Sequence, residues 1–266
     1  MSRIGARFEE LKAAREKALI CFVTAGDPDL ETTKKIVLEM AVAGADIVEL
    51  GIPFSDPIAD GPSIQAASLR SLENGTNVAS VLELVQSIRS ESQVPLILMT
   101  CFNPILHYGL ERFAREAASS GVDGVIASDL TPEEAGEWKS LADLHNLDTI
   151  FLLAPTSTAP RIDRVAKLGS GFIYCVSRTG VTGARMEMAE GVRELVESVK
   201  AITSKPVAVG FGISKPEHVH AVCEYADGAI VGSRLVDLIA SKADTQSMLA
   251  DLRELVSSLK SATGGV

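Results

Sequence analysis

No stretch of the chain reaches the ~18 consecutive apolar residues that a membrane-spanning helix requires. The N-terminal MSRIGARFEELKAAREK is charged and helical in pattern, unlike a secretion signal, so a soluble, cytoplasmic protein is expected. Cysteine is scarce: Cys21, Cys101, Cys175 and Cys223 are scattered without a C-x-x-C pair. That spacing suggests neither a disulfide framework nor a zinc site, and reduced thiols are expected. Cations are outnumbered too. The 25 Lys and Arg against 35 Asp and Glu give a net charge of -10, with no basic stripe to neutralise a nucleic-acid backbone. Any anion must therefore be held locally. Ser/His/Asp order, Walker and Rossmann fingerprints are also missing, and GFGISKP lacks the spacing of the last. His218 and His220 stand two apart on a predicted helix, so they face different directions and form no helical metal pair.

The chain contains repeated β-branched runs, each followed by a turn signal and a helical pattern. The runs are LICFVT (19–24), DIVELG (46–51), PLILMT (95–100), DGVIAS (123–128), DTIFLL (148–153), GFIYCV (171–176), KPVAVG (205–210) and DGAIVG (227–232). Eight strands apolar on both faces, alternating with helices over 266 residues, predict a closed (β/α)8 barrel, with a doubly wound open sheet as the alternative. A first helix over 8–15 precedes strand one and is placed to cap the barrel floor. No linker or low-complexity tract divides the chain, so 1–266 reads as one domain. Three junctions, AGADIVELG, SGVDGVIAS and EYADGAIVG, resemble one another. Gly44 and Gly121 suit helix C-caps in the first two, and the third lacks that glycine.

The longest connection, 52–94, follows strand two and carries two predicted helices, near 64–72 and 78–89. Length at the C-terminal end of a barrel strand marks function. Side chains alternate along DIVELG, so Ile47 and Glu49 share a face. If that face is the interior, Glu49 points into the barrel mouth, where burial raises its pKa toward proton exchange near neutrality. The other reading is a strand-end glutamate paired with a cation. Asp60 in DPIADGPS is likewise open: turn chemistry, like Asp56 before Pro57, or a second functional carboxylate. VAVGFGIS (207–214) and AIVGSRLV (229–236) each end a strand in glycine and open a helix, with Ser233 read as an N-cap. Paired loops after strands seven and eight are the recurrent phosphate site of this barrel, and the other reading of these glycines is turns alone. SRTGVTGAR (177–185) after strand six reads as a connection or as a lid.

FVTAGDP (22–28), VELGIPFSDPIADGPSIQ (48–65), SRTGVTGAR and GFGIS (210–214) together resemble the tryptophan synthase alpha subunit family, in order over nearly the whole chain. The resemblance implies a (β/α)8 fold and retro-aldol cleavage of indole-3-glycerol phosphate to indole and glyceraldehyde 3-phosphate, without metal or organic cofactor. Glu49 matches the family's catalytic acid/base, and Asp60 the carboxylate that accepts the indole N–H. Tyr174, Arg178 and Thr182 match residues around Glu49 and in the closing loop; Gly183, Phe211, Gly212, Gly232 and Ser233 match the phosphate cradle. Phe22, Ile64 and Met99 fall where the indole pocket is expected. The implied partner is a beta subunit, in an alpha2beta2 complex, docking through the loops near Pro53, Asp56 and Asn103. A stand-alone lyase releasing free indole, and a non-catalytic subunit sensing the phosphate ligand, are the other functional classes. Cys21, Cys101, Phe102 and Thr131 depart from the family pattern, and Cys101 and Phe102 are expected near the partner surface.

Overall fold

The computed structural model describes residues 2–58, 60–176, 191–210, 212–242 and 244–264. Its strands are β1 (Ala18–Thr24), β2 (Ile47–Gly51), β3 (Leu96–Thr100), β4 (Gly124–Ala127), β5 (Asp148–Thr149), β6 (Leu152–Leu153), β7 (Ile173–Val176), β8 (Val207–Gly210) and β9 (Gly228–Val231). All pairings are parallel, in the order β5-β4-β3-β2-β1-β9-β8-β7-β6. The two ends of that list are one passage of chain. β5 pairs with β4, and β6, two residues further on, pairs with β7, so the segment predicted as the single strand 148–153 closes a (β/α)8 barrel.

Alternation along each strand divides the core in two. Ala18, Ile20 and Phe22 of β1, Ile47 of β2, Ile97 and Met99 of β3, Ile126 of β4 and Tyr174 of β7 fill the interior. Their neighbours, such as Leu19, Cys21, Val48 and Leu98, pack outward under the helices. The barrel floor is plugged by α1 (Arg3–Ala14), which begins five residues earlier than the sequence pattern predicts because Ser2 caps it, accepting from the Gly5 N–H. Ile4, Phe8 and Leu11 share one face of α1 and join the interior cluster. Each contributes roughly 1.5–3 kcal/mol by burial.

The three similar junctions have a common physical role at this floor. Asp46 accepts the Leu19 N–H at 2.6 Å, Asp123 the Leu96 N–H at 2.8 Å and Asp227 the Val207 N–H at 3.0 Å. In each case a carboxylate at the foot of one strand fixes the foot of its neighbour. Cations neutralise all three: Arg7 and Lys260 at Asp46, Arg3 and Arg89 at Asp123, Lys200 and Lys17 at Asp227. Gly44 and Gly121 take the left-handed C-cap conformation as expected, whereas the third helix, α10 (Pro216–Cys223), ends at Glu224 in right-handed geometry.

The long connection after β2 holds α3 (Pro62–Glu73) and α4 (Val78–Arg89), close to the predicted spans. α5 (Phe102–Tyr108) follows β3, and α11 (Ser233–Ala240) follows β9. On the outside, α2 (Leu30–Ala43) packs between α4 and α12 (Thr245–Ser261). Among the described residues no helix is long and apolar enough to cross a membrane.

Candidate active site

Glu49 lies in β2 between Phe22 of β1 and Ile97 of β3 and is fully buried on the interior face. Neither carboxylate oxygen has a hydrogen-bond partner among the described residues. The cation-paired alternative therefore has no partner there. A lone carboxylate in an apolar wall is stable mainly as the neutral acid. Burial accordingly lifts the Glu49 pKa from its ordinary 4.5 to about 8.

Two glycines make room around it. A Cβ on Gly51 would meet Phe22 Cζ at 2.7 Å, and one on Gly210 would overlap the Tyr174 hydroxyl and lie 2.6 Å from its Cζ. Both positions end strands at the mouth, so omitting two side chains lets two aromatic rings in. Tyr174 is buried on β7 beside Phe172, with ring centroids 6.4 Å apart. Burial first, then the negative fields of Glu49 and Asp60, hold its phenol well above the usual pKa.

Asp60 lies in a turn and also lines a cavity. Its backbone belongs to a turn, with the Asp60 N–H donating to the Pro57 carbonyl at 3.1 Å. Its side chain lines a cavity with Phe22, Ile64 and Met99, the three residues expected around an indole. Burial raises the Asp60 pKa from 3.8 to about 6. Ser68, Thr100, Cys101 and Ser128 complete much of the wall and were not anticipated. Ser68 was accessible to sequence reasoning, because it stands four residues after Ile64 on α3. Cys101 is buried in this cavity wall, so its departure from the family pattern bears on the pocket as well. Cys21 on β1 packs in the outer cluster beneath the helices.

On the far side of β1 from β2, Gly212 (φ +80°) follows β8, and Gly232 follows β9. Gly232 is itself the N-cap of α11, and Ser233 is the first helical residue, which corrects the N-cap expectation for Ser233. The glycine supplies no side-chain cap, and helix geometry leaves the leading amides of α11 without intrahelical acceptors. A Cβ at Gly232 would sit 3.4 Å from Phe22, so this helix start adjoins the interior site. Arg178, Thr182, Gly183 and Phe211 lie outside the described residues, as does all of 177–185.

A groove of about 350 Å³ runs beside the mouth and is lined by Pro53, Phe54, Asn103, Pro104 and His107 among others. Pro53 and Asn103 are thus brought together. Asp56 is exposed, does not line this groove, and accepts from the Ser55 hydroxyl at 2.6 Å. Among the described residues no group of three His, Cys, Asp or Glu is arranged to hold a metal ion.

Two carboxylates whose pKa values burial raises lie at the mouth of a (β/α)8 barrel, an arrangement suited to the proton transfers of an enzyme. A family model described as tryptophan synthase alpha chain matches residues 8–264. The tryptophan synthase alpha chain of Geobacter sp. (strain M21) is 54% identical over 260 residues, covering 98% of this chain and 97% of the relative. That of Thermoanaerobacter sp. (strain X514) is 46% identical over 260 residues, covering 98% and 99%. The crystal structure of tryptophan synthase subunit alpha from Legionella pneumophila str. Paris superposes with a TM-score of 0.90 at 37% identity, covering 100% of each chain. The chain belongs to the tryptophan synthase alpha chain family. It is a carbon–carbon lyase that cleaves indole-3-glycerol phosphate to indole and glyceraldehyde 3-phosphate, as the alpha subunit in tryptophan biosynthesis. The role entails a phosphate-bearing substrate and a beta-subunit partner. None of these matches favours the stand-alone lyase.

Proposed function

We propose that Glu49 and Asp60 divide the cleavage between them, one as proton carrier and the other as fixed charge. The observation that carries this is the pair of environments. Burial places the Glu49 pKa at about 8 and that of Asp60 at about 6, so near neutrality the first arrives protonated and the second ionised. Glu49 donates its proton to indole C3, the bond from C3 to the glyceryl carbon breaks, and the glyceryl hydroxyl becomes the aldehyde as its proton returns to Glu49. Asp60 accepts the indole N–H and stabilises the positive charge that C3 protonation places on the ring. Phe22, Ile64 and Met99 enclose the indole, and Tyr174 packs beside Glu49. Gly212, Gly232 and Ser233 hold the phosphate at the N-terminus of α11, where amides and helix dipole favour an anion. Arg178, Thr182, Gly183 and Phe211 act with them, as the family pattern implies.

The chain works as a single barrel domain, 1–266, in the cytoplasm, within an alpha2beta2 heterotetramer. The beta subunit docks on the face that bears Pro53, Asp56 and Asn103. No cofactor is assigned to this chain. The test is Glu49→Gln, which keeps shape but removes the proton. Binding of a phosphate-bearing substrate analogue is expected to persist while cleavage falls roughly 10²-fold or more. Near-normal turnover would sink the assignment.

A further inference from the structure

We propose that Gln65 is a positioning residue for Asp60, an inference that rests on the role proposed above for Asp60. Gln65 stands in the first turn of α3, and its side-chain amide Nε2 donates to the Asp60 carbonyl at 2.8 Å. On the other side of the same residue, the Asp60 N–H donates to Pro57 at 3.1 Å. Both peptide groups of Asp60 are therefore held, and only its side-chain torsions remain to aim the carboxylate into the cavity it shares with Phe22 and Met99.

A helix-stabilising role does not account for this bond. The start of a helix lacks acceptors for its free N–H groups, and a capping side chain must accept. Gln65 donates, and to a carbonyl that precedes the helix, so it satisfies none of those groups. The start of α3 is set instead by Pro62 at its first turn and by the Gly61 N-cap. The far end of the helix is fixed independently. Arg70 grips the buried Asp27 carboxylate with two hydrogen bonds of 2.8 and 2.7 Å, and the Ser71 hydroxyl donates to the Ala25 carbonyl at 2.5 Å. Asp27 and Ala25 belong to the turn that follows β1, so α3 is pinned to the barrel wall. From that pinned helix Gln65 reaches back one turn to the loop, and the register of the wall passes to the carboxylate. Gln65 itself is exposed and outside the cavity wall, so replacing it leaves the pocket lining intact.

Asp60 is proposed to act on charge that develops in the transition state, so loosening it costs kcat more than KM. The experiment uses the full chain with its beta subunit and three variants: Gln65→Met, Asp60→Asn and the double variant. Met preserves length and helix propensity while removing the donor. Expected for Gln65→Met are an unchanged melting temperature, kcat about tenfold lower and KM within about twofold. In the Asp60→Asn background the same change is expected to cost less than about twofold, because the residue acts through the lost carboxylate. Wild-type kcat in Gln65→Met overturns the inference, and so do losses that multiply in the double variant, which mark an independent structural effect. Wild-type kcat in Asp60→Asn alone overturns the reading of Asp60 instead, so the two failures are distinct.

Discussion

Replacing Glu49 by Gln removes a titration while keeping shape, and the predicted result is a gain in stability that grows with pH. Burial lifts the Glu49 pKa from 4.5 to about 8. Between those values the folded chain keeps a proton that the unfolded chain has released. The folded state binds more protons there, so wild-type stability declines as pH rises through the interval. Each pH unit inside it corresponds to about 1.4 kcal/mol. From about pH 5 to about pH 8 the loss reaches up to about 4 kcal/mol, and it levels off above that. The Gln variant lacks this slope, and every other titrating group is common to both proteins. Urea titrations of the two, at matched concentration from about pH 5 to about pH 9, should show their midpoints separating with the variant the more stable. Had a cation held Glu49, its pKa would lie below 4.5, and wild type would gain on the variant as pH rose through the acid range. Parallel curves, or curves separating in that opposite sense, would refute the uncompensated burial on which the proton-carrier role depends.

Gly210→Ala sets a methyl group into the space of the Tyr174 hydroxyl, and overpacking of this kind costs roughly 1–3 kcal/mol. A lowered melting temperature with kcat/KM down about tenfold or more is expected, and thermal melts with steady-state cleavage would check both. Asn103→Ala, in the groove it shares with Pro53, should weaken beta-subunit binding and, by linkage, reduce the stimulation of cleavage that the partner brings. Titrating the beta subunit against the rate of indole release measures both quantities.

The fold was legible because its physics is periodic. Eight runs apolar on both faces can only be buried strands, and the spacing between them left room for helices. What escaped was local. α1 starts at Arg3 because one serine hydroxyl caps it, and the fifth strand appears as two short ladders because β4 and β7 each take one end. The Asp in the three similar junctions was visible as a recurrence but not as a contact. Only the parallel pairing of β3 with β4 brings Asp123 to the Leu96 amide, 27 residues away in sequence.

The site was legible in a different measure. Alternation alone placed Glu49 on the face of Ile47, but it could not say whether a cation waited there; the third dimension decided that among the described residues. Asp60 shows that its two sequence readings do not exclude one another. Backbone groups make the turn, the side chain is left free to face the cavity, and one residue does both. Gly51 was read as a strand end and Gly210 as part of a phosphate-site motif, since the space a missing side chain leaves announces nothing until a neighbour's ring is seen filling it. The same logic links stability to chemistry here. A buried carboxylate without a partner and a barrel mouth emptied of two side chains each weaken the fold. In the role proposed for Glu49 the first is also a condition for the reaction, because a carboxylate satisfied by a cation would hold no proton near neutrality, and the second gives Phe22 and Tyr174 the space their rings occupy.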